Sequence, residues 1–244
     1  PTSLAIVLVI LIGTLGGALW SLIPGFLKGL LNVNEVLTTL MLNFIAYTLI
    51  DYLIYGPWRS PKAYNFPITE PIPQSVTLPS YGGFSPISMV IFIVTTVVIY
   101  IILKYSKLGY EIRAYGSNPL AAYASGISFL KVSIISFLLS GLLAGLAGAL
   151  QLTAVHHRLG PKPWSVTEGL GYTAIISAWI ARLEPLAIIP SAILLGALIN
   201  GGLAIKASLG QSEGIVNIMN GMILLSIIAA EFLINYRVKV RFVR

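Results

Sequence analysis

Apolar residues fall in blocks of spanning length along this chain, about 20 residues being what an α-helix needs to cross roughly 30 Å of hydrocarbon. The pattern predicts membrane helices over residues 3–23, from Asn32, Asn34 and Glu35 to Tyr55, and over 87–103, 129–155, 186–205 and 214–236. Pro24, Gly25 and Lys28 read as the stop of the first helix. Asn32 and Glu35 have the spacing of a capping box at the start of the second, where Glu35 is read as a cap and dipole residue. The 87–103 block is rich in valine and isoleucine and is expected to face lipid. Gly141 and Gly145, four residues apart in the 129–155 block, predict a flat groove on which another helix packs closely.

Residues 171–181 break the pattern. As a helix they would be about 17 Å long, well short of the roughly 30 Å to be crossed. Arg182, Glu184 and Pro185 close this short piece. Two long polar stretches also interrupt the apolar blocks. Residues 57–86 carry repeated prolines that forbid a long helix, which suits a docking surface or an irregular lid. Within residues 104–131, Asn118 reads as an N-cap, Pro119 as the first helical residue and Gly126 as a left-handed stop. That predicts a helix over 119–125, too short to stand alone in water and in need of a membrane face or a partner protein to lie on.

Composition fixes the class. The chain is 57% hydrophobic and 9% charged, with a mean hydropathy of +0.89. It reads as an all-α polytopic membrane protein, one membrane domain over residues 1–244 with about six full spans and one short broken crossing. The net charge of +7 sits at span ends, so no nucleic-acid partner is expected. The absence of cysteine excludes thiol chemistry from this sequence. It opens on Pro1 without the basic flank of a signal peptide, which reads as an internal point of a longer protein.

Charge sets orientation. Arg237, Lys239, Arg241 and Arg244 follow the last block without an acid, and Lys104, Lys107, Arg113 and Lys131 face only Glu111 in the central segment, so both stretches are expected inside the cell. An even number of crossings must then join them, and residues 171–181, with the 167–170 lead-in, must supply one. An under-length crossing survives only where its irregular ends are buried in protein or line a watery cavity, as broken helices of transporters do. On this count 57–86 and 156–168 lie outside, with Pro1, and Lys28 and 182–185 lie inside.

Polar side chains within the blocks are the candidate solute contacts. Thr39 and Asn43 share a helix face; Asn43 either lines a pathway or bonds a neighbouring helix. Gln151 either lines a pathway or bonds the next loop, and Asn200 and Asn220 add amides in later blocks. Together these suit a neutral hydroxylated solute. His156 and His157 are adjacent, with no carboxylate or cysteine at ligand spacing, so no metal site is expected. Gly169, Gly171 and Ala174 trace a dinucleotide fingerprint but follow no strand, and no cofactor is expected. Glu231 lies close enough to Arg237 to pair with it at the membrane surface.

The segment LGYEIRAYGSNPLAAYASGI, residues 108–127, resembles the cytoplasmic coupling loop of permease subunits of ABC importers of the branched-chain amino acid, ribose and nucleoside group. The stretch GALWSLIPGFLKGLLNVNEVLTTLMLNFIAYTLIDYL, together with GYTAIISAWIARLEPL, is similar to the nucleoside and simple-sugar permeases of that group. The family pattern differs at Tyr115 and Ser125, and further helices precede this region in the family, which implies missing N-terminal helices here.

The resemblance implies a second permease subunit, the same or different, cytoplasmic ATPase subunits that bind the loop, and an extracellular substrate-binding lipoprotein. It further implies that Gly109, Arg113, Gly116, Asn118, Pro119, Leu120, Ala122, Tyr123 and Gly126 form the ATPase-coupling element, with Leu120 and Tyr123 as apolar anchors and Arg113 as a polar clamp. No Gly-Lys pair occurs in the sequence, so no P-loop is present and the chain is not expected to be an enzyme. Two rivals stand beside this. An ion-coupled secondary transporter of small polar solutes would need a mid-membrane carboxylate, whereas Asp51, Glu168 and Glu231 fall near span ends; a structural membrane subunit would not need the broken crossing.

Overall fold

A computed structural model describes residues 2–64, 66–81, 84–160, 167 and 169–209, and beyond these only 218, 221, 222, 225, 226 and 229. Among the described residues eight α-helices follow in order: α1 (Thr2–Leu31), α2 (Glu35–Tyr55), α3 (Pro86–Tyr105), α4 (Lys107–Ser117), α5 (Pro119–Ala124), α6 (Phe129–Gln151), α7 (Leu170–Ile180) and α8 (Ile188–Leu209). The only β pairing among the described residues is an isolated bridge between Tyr81 and Phe84. Four of the described helical stretches are long and apolar enough to cross a membrane: Leu4–Leu31, Glu35–Tyr55, Pro86–Tyr105 and Phe129–His156. The chain forms two compact units, Pro1–Glu168 and Gly169–Arg244.

The first unit is built on the pairing of α1 with α6. A methyl group on Gly13 would lie 2.9 Å from Ala149 Cβ, one on Gly17 would lie 2.6 Å from Gly145 Cα, and one on Gly25 3.1 Å from Phe137 Cβ. Gly29 faces Leu130 in the same way, so the helices run antiparallel with backbones in near contact. The groove predicted at Gly141 and Gly145 is this seam. Close approach of small residues replaces hydrophobic burial as the source of attraction where lipid surrounds both helices.

That seam also corrects the helix stop expected at Pro24. α1 runs through the proline and continues to Leu31. Proline removes one backbone donor, yet the turn beyond it is held against α6, where Ser133 Oγ donates to the Gly25 carbonyl at 3.3 Å. The stop comes at Asn32, in the left-handed region at φ 49°, its N–H donating to Lys28 O at 3.0 Å. Asn32 therefore ends α1, and the cap of α2 is Asn34, whose side chain accepts from Val36 and Leu37 N–H at 2.9 and 3.3 Å. Glu35 pairs with Lys28 across the turn at 2.8 Å.

At the opposite end of this unit the 57–86 stretch is stitched to the chain that leaves α6. Leu78 N–H donates to Thr153 O at 2.9 Å, Ile72 N–H to His157 O at 2.8 Å and Thr69 N–H to Leu159 O at 3.1 Å. The acceptors are available because α6 widens into a π-helical turn over Leu152–His156 and ends at His157, in the left-handed region at φ 55°. A π turn breaks the regular α ladder and is a recurrent mark of special geometry. Thr153 at its centre is 0% exposed.

The described residues of the second unit form a helical hairpin. α7 has 11 residues, as short as the sequence predicts, and Gly169 precedes it at φ 73°. Arg182 and Leu183, both with positive φ, turn the chain towards Pro185–Ala187 and α8. Buried Ser177 and Ser191 clasp the two helices, their hydroxyls 2.8 Å apart. The predicted span over 214–236 and the basic tail lie largely outside the described residues.

Candidate coupling segment and polar side chains

The central polar segment is two helices. Ser106 closes α3 and opens α4: its Oγ donates to Ile102 O at 2.6 Å and accepts from Gly109 N–H at 3.1 Å. Gly109 packs against the carbonyls of Ile102 and Leu103 with no room for a Cβ, which fixes the corner. α4 is not among the helices that the sequence predicts, although Leu108, Ile112 and Tyr115 repeat at helical spacing.

α5 forms as its local chemistry dictates. Asn118, in extended conformation, accepts from Leu120 and Ala121 N–H, both at 3.1 Å. Pro119 takes the first helical position, where a missing N–H costs nothing. The helix spans Pro119–Ala124, Ser125 caps it, and Gly126 at φ 79° turns the chain away. Ile127 N–H then donates back to Ala122 O at 3.0 Å.

Burial sorts this segment into two faces. Ala122 is 3% exposed, whereas Leu120 is 83% and Tyr123 74% exposed. Arg113, Gly116, Asn118 and Pro119 are exposed as well, and Gly109 is buried. The structure thus holds all nine residues assigned to coupling in one continuous segment, with two large apolar side chains presented outward. Glu111 on α4 pairs with Lys131 on α6 at 3.1 Å, and Tyr115 stacks on Phe129 with ring centroids 5.0 Å apart. Neither contact has a signal in the sequence.

Within the first unit the candidate solute contacts fall at two places, Thr39 and Asn43 on α2 and Gln151 at the end of α6. Thr39 Oγ1 donates to Glu35 O at 2.8 Å within the first turn of α2. Asn43 is exposed on the same helix. Gln151 closes α6 at the opposite end of the unit, its amide nitrogen 3.3 Å from His156 Nε2. It borders a cavity of about 310 Å³ that also touches Phe84 and Ser88. Asn200 belongs to the second unit and donates to Gly196 O at 2.9 Å, and Asn220 lies outside the described residues. A second cleft of about 400 Å³, lined in part by Trp58, Arg59, Glu70 and Arg158, opens where the 57–86 stretch meets the end of α6. Asp51 Oδ1 on α2 is buried without a hydrogen-bond partner among the described residues.

Comparison with known proteins adds the family. The model of the family described as branched-chain amino acid transport system / permease component matches residues 2–229. A glucose ABC transporter permease of Haloferax volcanii is 28% identical over 256 residues, covering 100% of this chain and 66% of that protein. A guanosine ABC transporter permease of Bacillus subtilis is 28% identical over 239 residues, 97% of this chain and 68% of the relative. A nucleoside ABC transporter permease of Lactococcus lactis subsp. cremoris is 28% identical over 248 residues, 96% of this chain and 66% of the relative. The chain spans about two thirds of the length of these relatives. No solved structure matches it. With the membrane-spanning helices already described, the family match over nearly the whole chain makes it a member of the branched-chain amino acid transport system permease family, multi-pass proteins of the cell membrane.

Proposed function

We propose that the chain is the membrane-spanning permease subunit of an ATP-driven ABC importer and moves a nucleoside or simple sugar inward. On this reading 104–131 is the cytoplasmic coupling loop and 57–86 an external loop. ATP is hydrolysed by separate cytoplasmic subunits, a second permease subunit completes the path, and an extracellular binding lipoprotein delivers the solute. The chain itself translocates and does not catalyse.

The observation that carries this reading is α5. Six residues are too few to hold a helix by themselves; caps at both ends hold this one, and it turns Leu120 and Tyr123 outward. Large exposed apolar side chains on a preformed short helix suit insertion into a groove of a partner, where buried anchors carry most of the binding energy. The relatives' names, glucose, guanosine and nucleoside ABC transporter permeases, support an importer of that solute class.

The test is uptake by the full-length permease, assembled with its second permease subunit, ATPase subunits and binding lipoprotein, carrying Leu120→Asp and Tyr123→Asp together. Anchors of this kind are worth about 2 kcal/mol or more each, so uptake is expected to fall by at least about tenfold. Unchanged uptake would contradict coupling through α5. One observation favours ion-coupled transport instead, the unpartnered buried oxygen of Asp51. Asp51→Asn would then abolish uptake while the α5 double variant left it intact.

A further inference from the structure

We infer that the Glu111–Lys131 pair and the Tyr115–Phe129 stack form the joint through which movement of α5 reaches the membrane helices. Glu111, Lys131, Tyr115 and Phe129 are then positioning residues for coupling. The inference rests on the permease reading above and adds to it the side chains that carry the motion.

The joint is defined by what it connects. Glu111 sits on α4 and is 8% exposed. Lys131, in the first turn of α6, reaches back to it with Nζ 3.1 Å from Oε2 and 3.4 Å from Oε1. One turn further along α4, Tyr115 lies on the ring of Phe129, the planes 24° apart. Both contacts link the element before α5 to the element after it. They close the segment into a ring with α5 at its tip.

A closed and an open loop respond differently to a push at the tip. In an open loop the soft backbone dihedrals on either side take up the displacement. In a closed one, α4 and the start of α6 must move together, because packed contacts pass strain on instead of absorbing it. The side chain of Glu111 is 11% exposed and that of its partner Lys131 51%, so the pair is part-buried, and the cation comes from 20 positions along the chain. A residue serving only solubility would not be placed so.

The other side of the ring is equally firm. Ser106 ties the α3–α4 corner by hydrogen bonds at 2.6 and 3.1 Å, and Gly109 leaves no gap against the end of α3. Beyond the joint, α6 lies in the glycine seam with α1, where backbones touch. A continuous packed route therefore runs from α5 through the joint into α6 and on to α1, the kind of network that carries coupling between distant sites.

The experiment uses the full-length permease assembled in vesicles with its second permease subunit, its ATPase subunits and the binding lipoprotein, with ATP hydrolysis and uptake of radiolabelled guanosine or glucose, whichever the lipoprotein retains, measured in one sample. Glu111→Gln and Tyr115→Ala are each expected to leave hydrolysis within about twofold while solute imported per ATP falls about five- to tenfold, the low end of usual coupling between sites. The exchange E111K with K131E is expected to restore the ratio, and Tyr115→Phe, which keeps the stack, to behave as the unmodified chain. A ratio unchanged in both single variants, uptake and hydrolysis falling in proportion, or a charge exchange as defective as Glu111→Gln would overturn the inference. If the unmodified assembly imports solute without hydrolysing ATP, the permease reading itself fails, and the joint with it.

Discussion

Asn118 sits where two helices meet and serves both. Its N–H closes α4 by donating to Ala114 O at 3.1 Å, while its side chain opens α5 by accepting two N–H groups. Asn118→Ala should therefore cost about 1 kcal/mol of α5 stability. Amide exchange at residues 120–124 should speed up roughly fivefold, a 1 kcal/mol change in an equilibrium, and Asn118→Asp should leave it unchanged; equal rates in all three proteins would contradict the cap. This cap was legible because its chemistry is local, Asn-Pro at one end and Gly126 at the other. Asn32 and Asn34 mark where local reading gives out. Both are good cap residues, and spacing to Glu35 favours Asn32, but the left-handed turn that ends α1 needs an asparagine there and leaves Asn34 to cap α2. Glu111 and Lys131 could not be paired from sequence at all, since the contact exists only once α4 has formed and folded back on α6.

Between elements, the α1–α6 seam is the strongest structural commitment of the first unit. Gly17 and Gly145 face each other's backbones, so Gly17→Leu or Gly145→Leu should destabilise the protein by about 1–3 kcal/mol or more. Gly16 and Gly148, where an added methyl would meet nothing within 4 Å, should accept alanine with little change. Thermal unfolding in detergent separates the two pairs, and equal losses would show that the seam is not where the helices meet. Gly141 and Gly145 on α6 and Gly13 and Gly17 on α1 made the close approach readable, whereas Pro24 by itself argues for a helix end. Packing of Gly25 and Gly29 on α6 decided otherwise. The π turn over Leu152–His156 has no sequence signature comparable to a cap. It offers Thr153 O to Leu78 N–H, so deleting one residue within it should free the 57–86 stretch and speed its cleavage by a protease; unchanged cleavage would show that the loop is held by other means.

At the scale of the whole molecule, periodicity and block length sufficed for an all-α polytopic membrane protein, and four of the predicted spans and the short α7 are where the apolar blocks placed them. Which of the candidate solute contacts meet one another was not readable, because that depends on how helices are arranged and not on what each contains. The proposed sidedness rests on charge; within the first unit α4 and α5 lie at the end where α1 turns into α2, and the 57–86 stretch meets the other end of α6. The account as a whole needs α5 to face the cytoplasm. The sequence contains no cysteine, so single cysteines placed at exposed Ser125 and exposed Ser80 report sidedness directly with a membrane-impermeant maleimide. The account predicts that Ser80→Cys is labelled on intact cells and Ser125→Cys only after the membrane is opened. Labelling of Ser125→Cys on intact cells would contradict it.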